Sequence, residues 1–379
     1  MRKHFPAGQM GFWLAQHVTL KPGVFFHVVN REEDALDLLQ VLSFCAPQVR
    51  AIHLPAWDCL PYDRLSPSKE ILIKRVQALE ALKQGFQKSV SALVLLTPQA
   101  LMQKVPASFG KGGEGEQTSL TLSRGEKVSR DDLLGQLHKW GFERQEVVRE
   151  WGEFALRGSL VDIFPGGEAA PLRLDFFGDL LEQIKTFDPL SQRTTGGRET
   201  LTLSRLSECI LTPDALERFK RGYRLAFPSL NCLHDPLFQA LSQGRTYPGM
   251  EHWLPLFEVS MVPLWDLFSP EKMSFEREVP QLSASFGAQI QECYKTRQSF
   301  FQQKNATVGT YAPLPPQTLY VEPLVLEEKL SRFEQQQPMD TLPGPQVPPE
   351  KGRVLLSAWT LGGLERLKKY ADDKLSFTW

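Results

Sequence analysis

No two cysteines of this sequence form a CxxC pair. Its five thiols, Cys45, Cys59, Cys209, Cys232 and Cys293, are odd in number and far apart. That spacing argues against a disulfide framework or a zinc module and is what a reducing cytoplasm leads one to expect. An apolar window of about 18 residues is also missing, so no membrane span is expected. The first residues, MRKHFPAGQMGFWLAQHV, lack the clean apolar core and cleavage site of a signal peptide. Charge is nearly balanced, 43 Lys and Arg against 44 Asp and Glu for a net of −1. No overall basic field draws the chain to nucleic acid, although local patches stay open.

Several catalytic signatures are absent as well. The seven histidines are scattered, with no HExxH, and His27 and His53 fall in apolar runs that suit packing better than metal ligation. No GxSxG elbow supports a nucleophilic serine. A working phosphate loop is lacking too. If Gly11 is its second glycine, Pro6 stands where the first belongs, Phe12 where the lysine belongs and Trp13 where the hydroxyl belongs. Neither the charge for the β/γ-phosphates nor the magnesium ligand is there. No cofactor or metal is expected.

What is present is an alternation. Apolar runs at 24–29, 51–54 and 92–97 are separated by helical patterns, REEDALDLLQVLSFC and KEILIKRVQALEALKQG. This spacing predicts βαβ units and a parallel sheet covered on both faces. The chain length suggests two to four domains, because one core rarely exceeds about 250–300 residues. A polar, glycine-rich stretch, GKGGEGEQ at 110–117, marks a first boundary. Beyond it, Ser129 caps a helix closed by Gly141, and short apolar runs between 145 and 205 predict an antiparallel sheet beside that helix. From 209 to about 330 the pattern is mixed, with a helix opened by Thr212 and Pro213. Residues 334–351, rich in Pro and Gln, read as a linker. Residues 352–379 read as one strand and one helix, the truncated start of a further α/β domain.

Two stretches invite functional readings. LPAWDCLPYDRLSPSKE at 54–70 interleaves Trp57 and Tyr62 with prolines. It could stack bases, but its carboxylates Asp58 and Asp63 favour a stiff structural loop. The second is RGSLVDIFPGGEAAPLRLDFFGD, from Arg157 to Asp179. Side chains alternate along a strand, so Leu172, Leu174 and Phe176 share one face and Arg173, Asp175 and Phe177 the other. Leu156, Leu160 and Phe164 fall on one parity and Arg157 on the opposite one. An outer face bearing Arg157, Arg173 and Phe177 carries the residue types that anchor interfaces. It equally suits a solvated face with Arg157 paired to Asp175 and Phe177 tucked under the sheet's end.

Three blocks, LPAWDCLPYDRLSPSKEILIKRVQAL, GEFALRGSLVDIFPGGEAAPLRLDFFGDLLEQIKTFDPLSQRT and YPGMEHWLPLF, together resemble the N-terminal part of the bacterial transcription-repair coupling factor family, Mfd. The first two also resemble UvrB. The resemblance implies a multidomain α/β fold: a degenerate RecA/helicase-like parallel domain 1A over 1–117, an inserted small α+β domain 2 over 118–208, and a mixed α/β domain 1B over 209–333. It implies that domain 2 binds UvrA through Arg157, Arg173 and Phe177, in transcription-coupled nucleotide excision repair, without an ATPase of its own. The alternative is an ATP- or DNA-binding helicase subunit like UvrB. Longer family members carry RNA-polymerase-binding and translocase parts that these residues do not include, so a cytoplasmic, non-catalytic fragment is expected. Substituting Arg173 or Phe177 is expected to weaken UvrA binding and spare folding.

Overall fold

The computed structural model describes residues 7–19, 23–88, 91–110, 118–302 and 311–335, with Glu365 and Lys369 besides. Pro6, most of the glycine-rich connector (111–117), nearly all of the linker and the terminal α/β segment lie outside the described residues.

The expected parallel sheet is there. Val24–Val28, Arg50–Leu54 and Ala92–Leu96 pair in parallel. Two further parallel strands, Lys272–Phe275 and Glu334–Gln335, extend it beyond Val24–Val28. Strand residues alternate between two cores, as pleating requires. Phe25, Leu93 and Leu95 pack with helices Ala7–Thr19 and Glu32–Cys45. Phe26, Val94 and Leu96 pack into a larger cluster that also holds Phe219, Trp253, Trp265 and Leu326. Residues 209–333, expected as a separate domain, therefore share a core with residues 24–109. The reason is physical. With helix Lys69–Lys88 alone on that face, much of the apolar sheet would stay wet, and burial is worth about 25 cal/mol per Å².

Of the residues compared with a phosphate loop, Gly11, Phe12 and Trp13 lie in the helix Ala7–Thr19, which precedes the first strand instead of following it. Gly11 serves packing there. A Cβ at that position would stand 2.3 Å from Val41 Cγ1.

Residues 119–204 build a second unit. Six strands run in the order Thr194–Arg198, Leu180–Phe187, Leu172–Phe177, Leu160–Ile163, Glu153–Arg157, Glu143–Arg144. One face packs on helix Arg130–Lys139 and on a two-stranded ribbon, Ser119–Ser123 with Thr200–Ser204. Ser129 Oγ accepts the Asp132 N–H at 3.3 Å, the expected cap.

The two units meet along helix Lys69–Lys88. Ile73 belongs to the core of the six-stranded unit. Gln77 Nε2 donates to the Gly166 carbonyl at 2.6 Å, and a Cβ on Gly166 would fall 2.3 Å from Ile73 Cγ2. The PGG turn thus brings backbone against a helix. Beside it, buried Arg75 donates to both carboxylate oxygens of Glu208, at 2.6 and 3.1 Å, and to the Pro55 carbonyl at 2.7 Å.

Candidate docking site

Leu156, Leu160 and Phe164, expected on a single parity, do not lie on one strand. The run 153–164 is a hairpin, Glu153–Arg157 and Leu160–Ile163, joined by Gly158 and Ser159. Gly158 has φ 63°, the left-handed conformation that two-residue hairpin loops ask of their first residue. Arg157 lies opposite Leu160, so the odd–even count inverts across the loop. This corrects the parity expected from the sequence. Phe154, Val161 and Ile163 fill the main core, while Leu160, Asp162 and Phe164 join Arg157 on the second face. In Leu172–Phe177 the alternation is as expected, with Leu172, Leu174 and Phe176 buried.

The second face is half covered. Val148, Ala155, Phe164 and Phe187 form a small cluster on it. Arg173 sits beside this cluster with its guanidinium carbon 4.8 Å from the Phe187 ring centre. Its Nε and Nη2 donate to Asp162 Oδ1 and Oδ2 at 2.7 and 2.8 Å. Its Nη1 donates to the Gln192 carbonyl at 3.4 Å. The Asp162 side chain is 0% exposed and that of Arg173 16%. The expectation of Arg173 as a free anchor on the outer face is therefore corrected: its guanidinium is closed on Asp162, directly across the strand pair. The hydrogen bond to Asp162 also raises the Arg173 pKa.

The other two expected residues stand free of such pairing. Phe177 is 74% exposed at the strand's end, next to a Gly178–Asp179 loop whose Gly178 has φ 60°. It is not tucked under the sheet. Arg157 is exposed and, among the described residues, its side chain reaches only the Glu146 carbonyl, at 3.3 Å. Its pairing with Asp175 is not seen. Asp175 Oδ1 instead accepts from Ser159 Oγ at 3.4 Å.

Sequence reasoning missed Asp162 as the partner of Arg173. A signal existed: one carboxylate inside the apolar run SLVDIF has to meet a cation or a donor if that run is buried. Among the described residues no cluster of His, Cys, Asp and Glu could hold a metal. No described helix is long and apolar enough to cross a membrane.

Residues 120–208 match the family model described as the UvrB interaction domain. The transcription-repair-coupling factor of Haemophilus influenzae is 34% identical over 242 residues, 64% of this chain and 20% of that protein. That of Escherichia coli K12 is 36% identical over 241 residues, 62% of this chain and 20% of its own length. That of Rickettsia bellii is 30% identical over 336 residues, 88% and 29%. The chain is similar to the N-terminal region of the transcription-repair-coupling factors. It spans between a fifth and three-tenths of the length of these curated relatives. The α/β architecture agrees with the expected multidomain fold, and the matched family model falls on the six-stranded unit that carries Arg157, Arg173 and Phe177.

Proposed function

We propose that the second face of the six-stranded unit docks UvrA, and that the chain is a non-catalytic interaction module of transcription-coupled nucleotide excision repair. We assign the docking module to 118–208, inserted into a body formed by 1–117 and 209–333. The observation that carries the reading is Phe177, a large ring left in water on a sheet face within the segment matched by the UvrB interaction family. Exposed aromatics beside arginine are the residue types on which interfaces concentrate binding energy. Arg157 and Phe177 make contact, and Arg173 holds the face in shape. RNA polymerase and DNA are assigned to other parts of the longer relatives, and the setting to the cytoplasm.

The absence of an ATPase finds support at the parallel sheet's carboxyl edge, where α/β folds bind ligands. The turn after Val24–Val28 leads into helix Glu32–Cys45, the place for a phosphate. Its first turn carries Glu32, Glu33 and Asp34. The Glu32 carboxylate itself takes the local donors: Ala56 N–H at 3.0 Å, Thr97 Oγ1 at 3.0 Å and His53 Nε2 at 2.6 Å. Burial would raise the Glu32 pKa, but these bonds outweigh it and hold the carboxyl below its usual value. A triphosphate would meet negative charge and donors already engaged.

The test is UvrA binding by the intact chain and by Phe177→Ala, with a nucleotide titration alongside. Truncating an interfacial anchor costs about 2 kcal/mol or more, some thirtyfold in affinity, without a change in melting temperature. Equal affinity for both proteins sinks the site. Saturable binding of ATP would favour the helicase-subunit alternative.

A further inference from the structure

The strand register places four side chains in one row on the second face. Arg157 lies opposite Leu160, Leu160 opposite Asp175, and Asp175 opposite Gln183. Neighbouring strands are about 4.8 Å apart. Arg157 and Asp175 are therefore two strands, roughly 10 Å, apart with Leu160 between them. That separation explains why they form no pair, whereas Arg173 and Asp162, on adjacent strands, do. Among the described residues neither Arg157 nor Asp175 takes part in an ion pair. Each makes one long hydrogen bond, to the Glu146 carbonyl and to the Ser159 hydroxyl respectively. The row thus offers an uncommitted cation, Arg157, and an uncommitted anion, Asp175, astride a leucine and beside the exposed Phe177, while Lys185, opposite Arg173, is a further cation of the same face.

We propose that Asp175 is a specificity-determining residue of the docking face, taking a lysine or arginine of the partner while Arg157 takes a carboxylate. The partner surface then carries a basic and an acidic group about 10 Å apart, two strand spacings, with apolar surface between and beside them for Leu160 and Phe177. A bipolar face of this kind fixes orientation: a partner turned end for end would set like charges together, and such juxtapositions cost far more than a correct pair returns. A face whose only charges were arginines would accept any acidic surface in either direction.

This inference rests on the UvrA reading, and one experiment separates the two. Binding of UvrA to the full chain is measured by biolayer interferometry at low and physiological salt, for wild type, Asp175→Asn, Asp175→Lys and Phe177→Ala. Asp175→Asn keeps an acceptor for Ser159 and so spares the fold, which a melting curve checks. The expected result is a loss of about fivefold to tenfold for Asp175→Asn, with a shallower salt dependence. Asp175→Lys is expected to lose about fiftyfold or more, since a cation then faces a cation. If both Asp175 variants bind within about twofold of wild type while Phe177→Ala loses binding, Asp175 plays no such part and the docking reading stands. If all three variants bind like wild type, the docking reading itself fails and takes the inference with it.

Discussion

Arg173→Ala should destabilise the six-stranded unit, and for a reason unrelated to UvrA. The substitution strands the Asp162 carboxylate, whose side chain is 0% exposed, with neither of its two guanidinium bonds. Removing one partner of a buried pair costs about 3–5 kcal/mol because the other charge stays desolvated. Arg173 retains 16% exposure, so water reaches the site's rim and the lower end, about 3 kcal/mol, applies. The lost stacking on Phe187 adds up to about 1 kcal/mol. Urea denaturation followed by circular dichroism measures the total, and amide exchange over 153–187 locates it. A second variant fixes the cause. Replacing both partners, Asp162→Leu with Arg173→Leu, leaves no stranded charge and should recover most of the loss, since apolar replacement of a buried pair is often neutral. The reasoning is refuted if Arg173→Ala unfolds within about 1 kcal/mol of wild type, or if the double variant is as unstable as the single one. A consequence follows for binding studies: loss of UvrA capture by Arg173→Ala reports a deformed face as readily as a missing contact, so Arg157 and Phe177 are the sounder probes.

Two other outcomes are expected. Gly166→Ala would drive a methyl to 2.3 Å from Ile73 Cγ2, an overpacking worth about 1–3 kcal/mol. The strain lies between the two units, so limited proteolysis near 165–171 should accelerate, and unchanged cleavage would count against that contact. Acid should weaken the parallel-sheet body. Burial lowers His27 to about 3 and His252 to about 4, so both stay neutral in the fold while the unfolded chain gains protons below about 6.5. Their stability is complete above that pH and is lost as pH falls toward the folded values. Glu276, raised by burial to about 7, acts oppositely, since the fold holds a proton there that the unfolded chain has released. Each imidazole withdraws up to about 2 kcal/mol between pH 6.5 and 5, and Glu276 together with Glu251, whose carboxyl burial also raises, returns only part of the two. A denaturation midpoint that is flat or rising over that window would contradict it.

Local patterns carried the parts of this fold that depend on neighbours in sequence. The apolar runs at 24–29, 51–54 and 92–97 became parallel strands, and Ser129 and Thr212 cap the helices they precede. What stayed hidden depends on distant pairing. Nothing in residues 272–275 announces that they lie beside Val24–Val28, nor do Gly166 and Gly167 reveal that they press on Ile73 and Gln77. The docking face shows the difference most sharply. Alternation is reliable within Leu172–Phe177 because one strand holds all six residues. It fails across 156–164, because a two-residue loop sets 157 opposite 160, an odd position against an even one. The corrected count moves Leu160 and Asp162 to the arginine side. That single inversion turns Arg173 from a free cation into half of a pair, and among the described residues it leaves Arg157 and Asp175 as the unpaired charges of the row, with Lys185 opposite Arg173 on the same face.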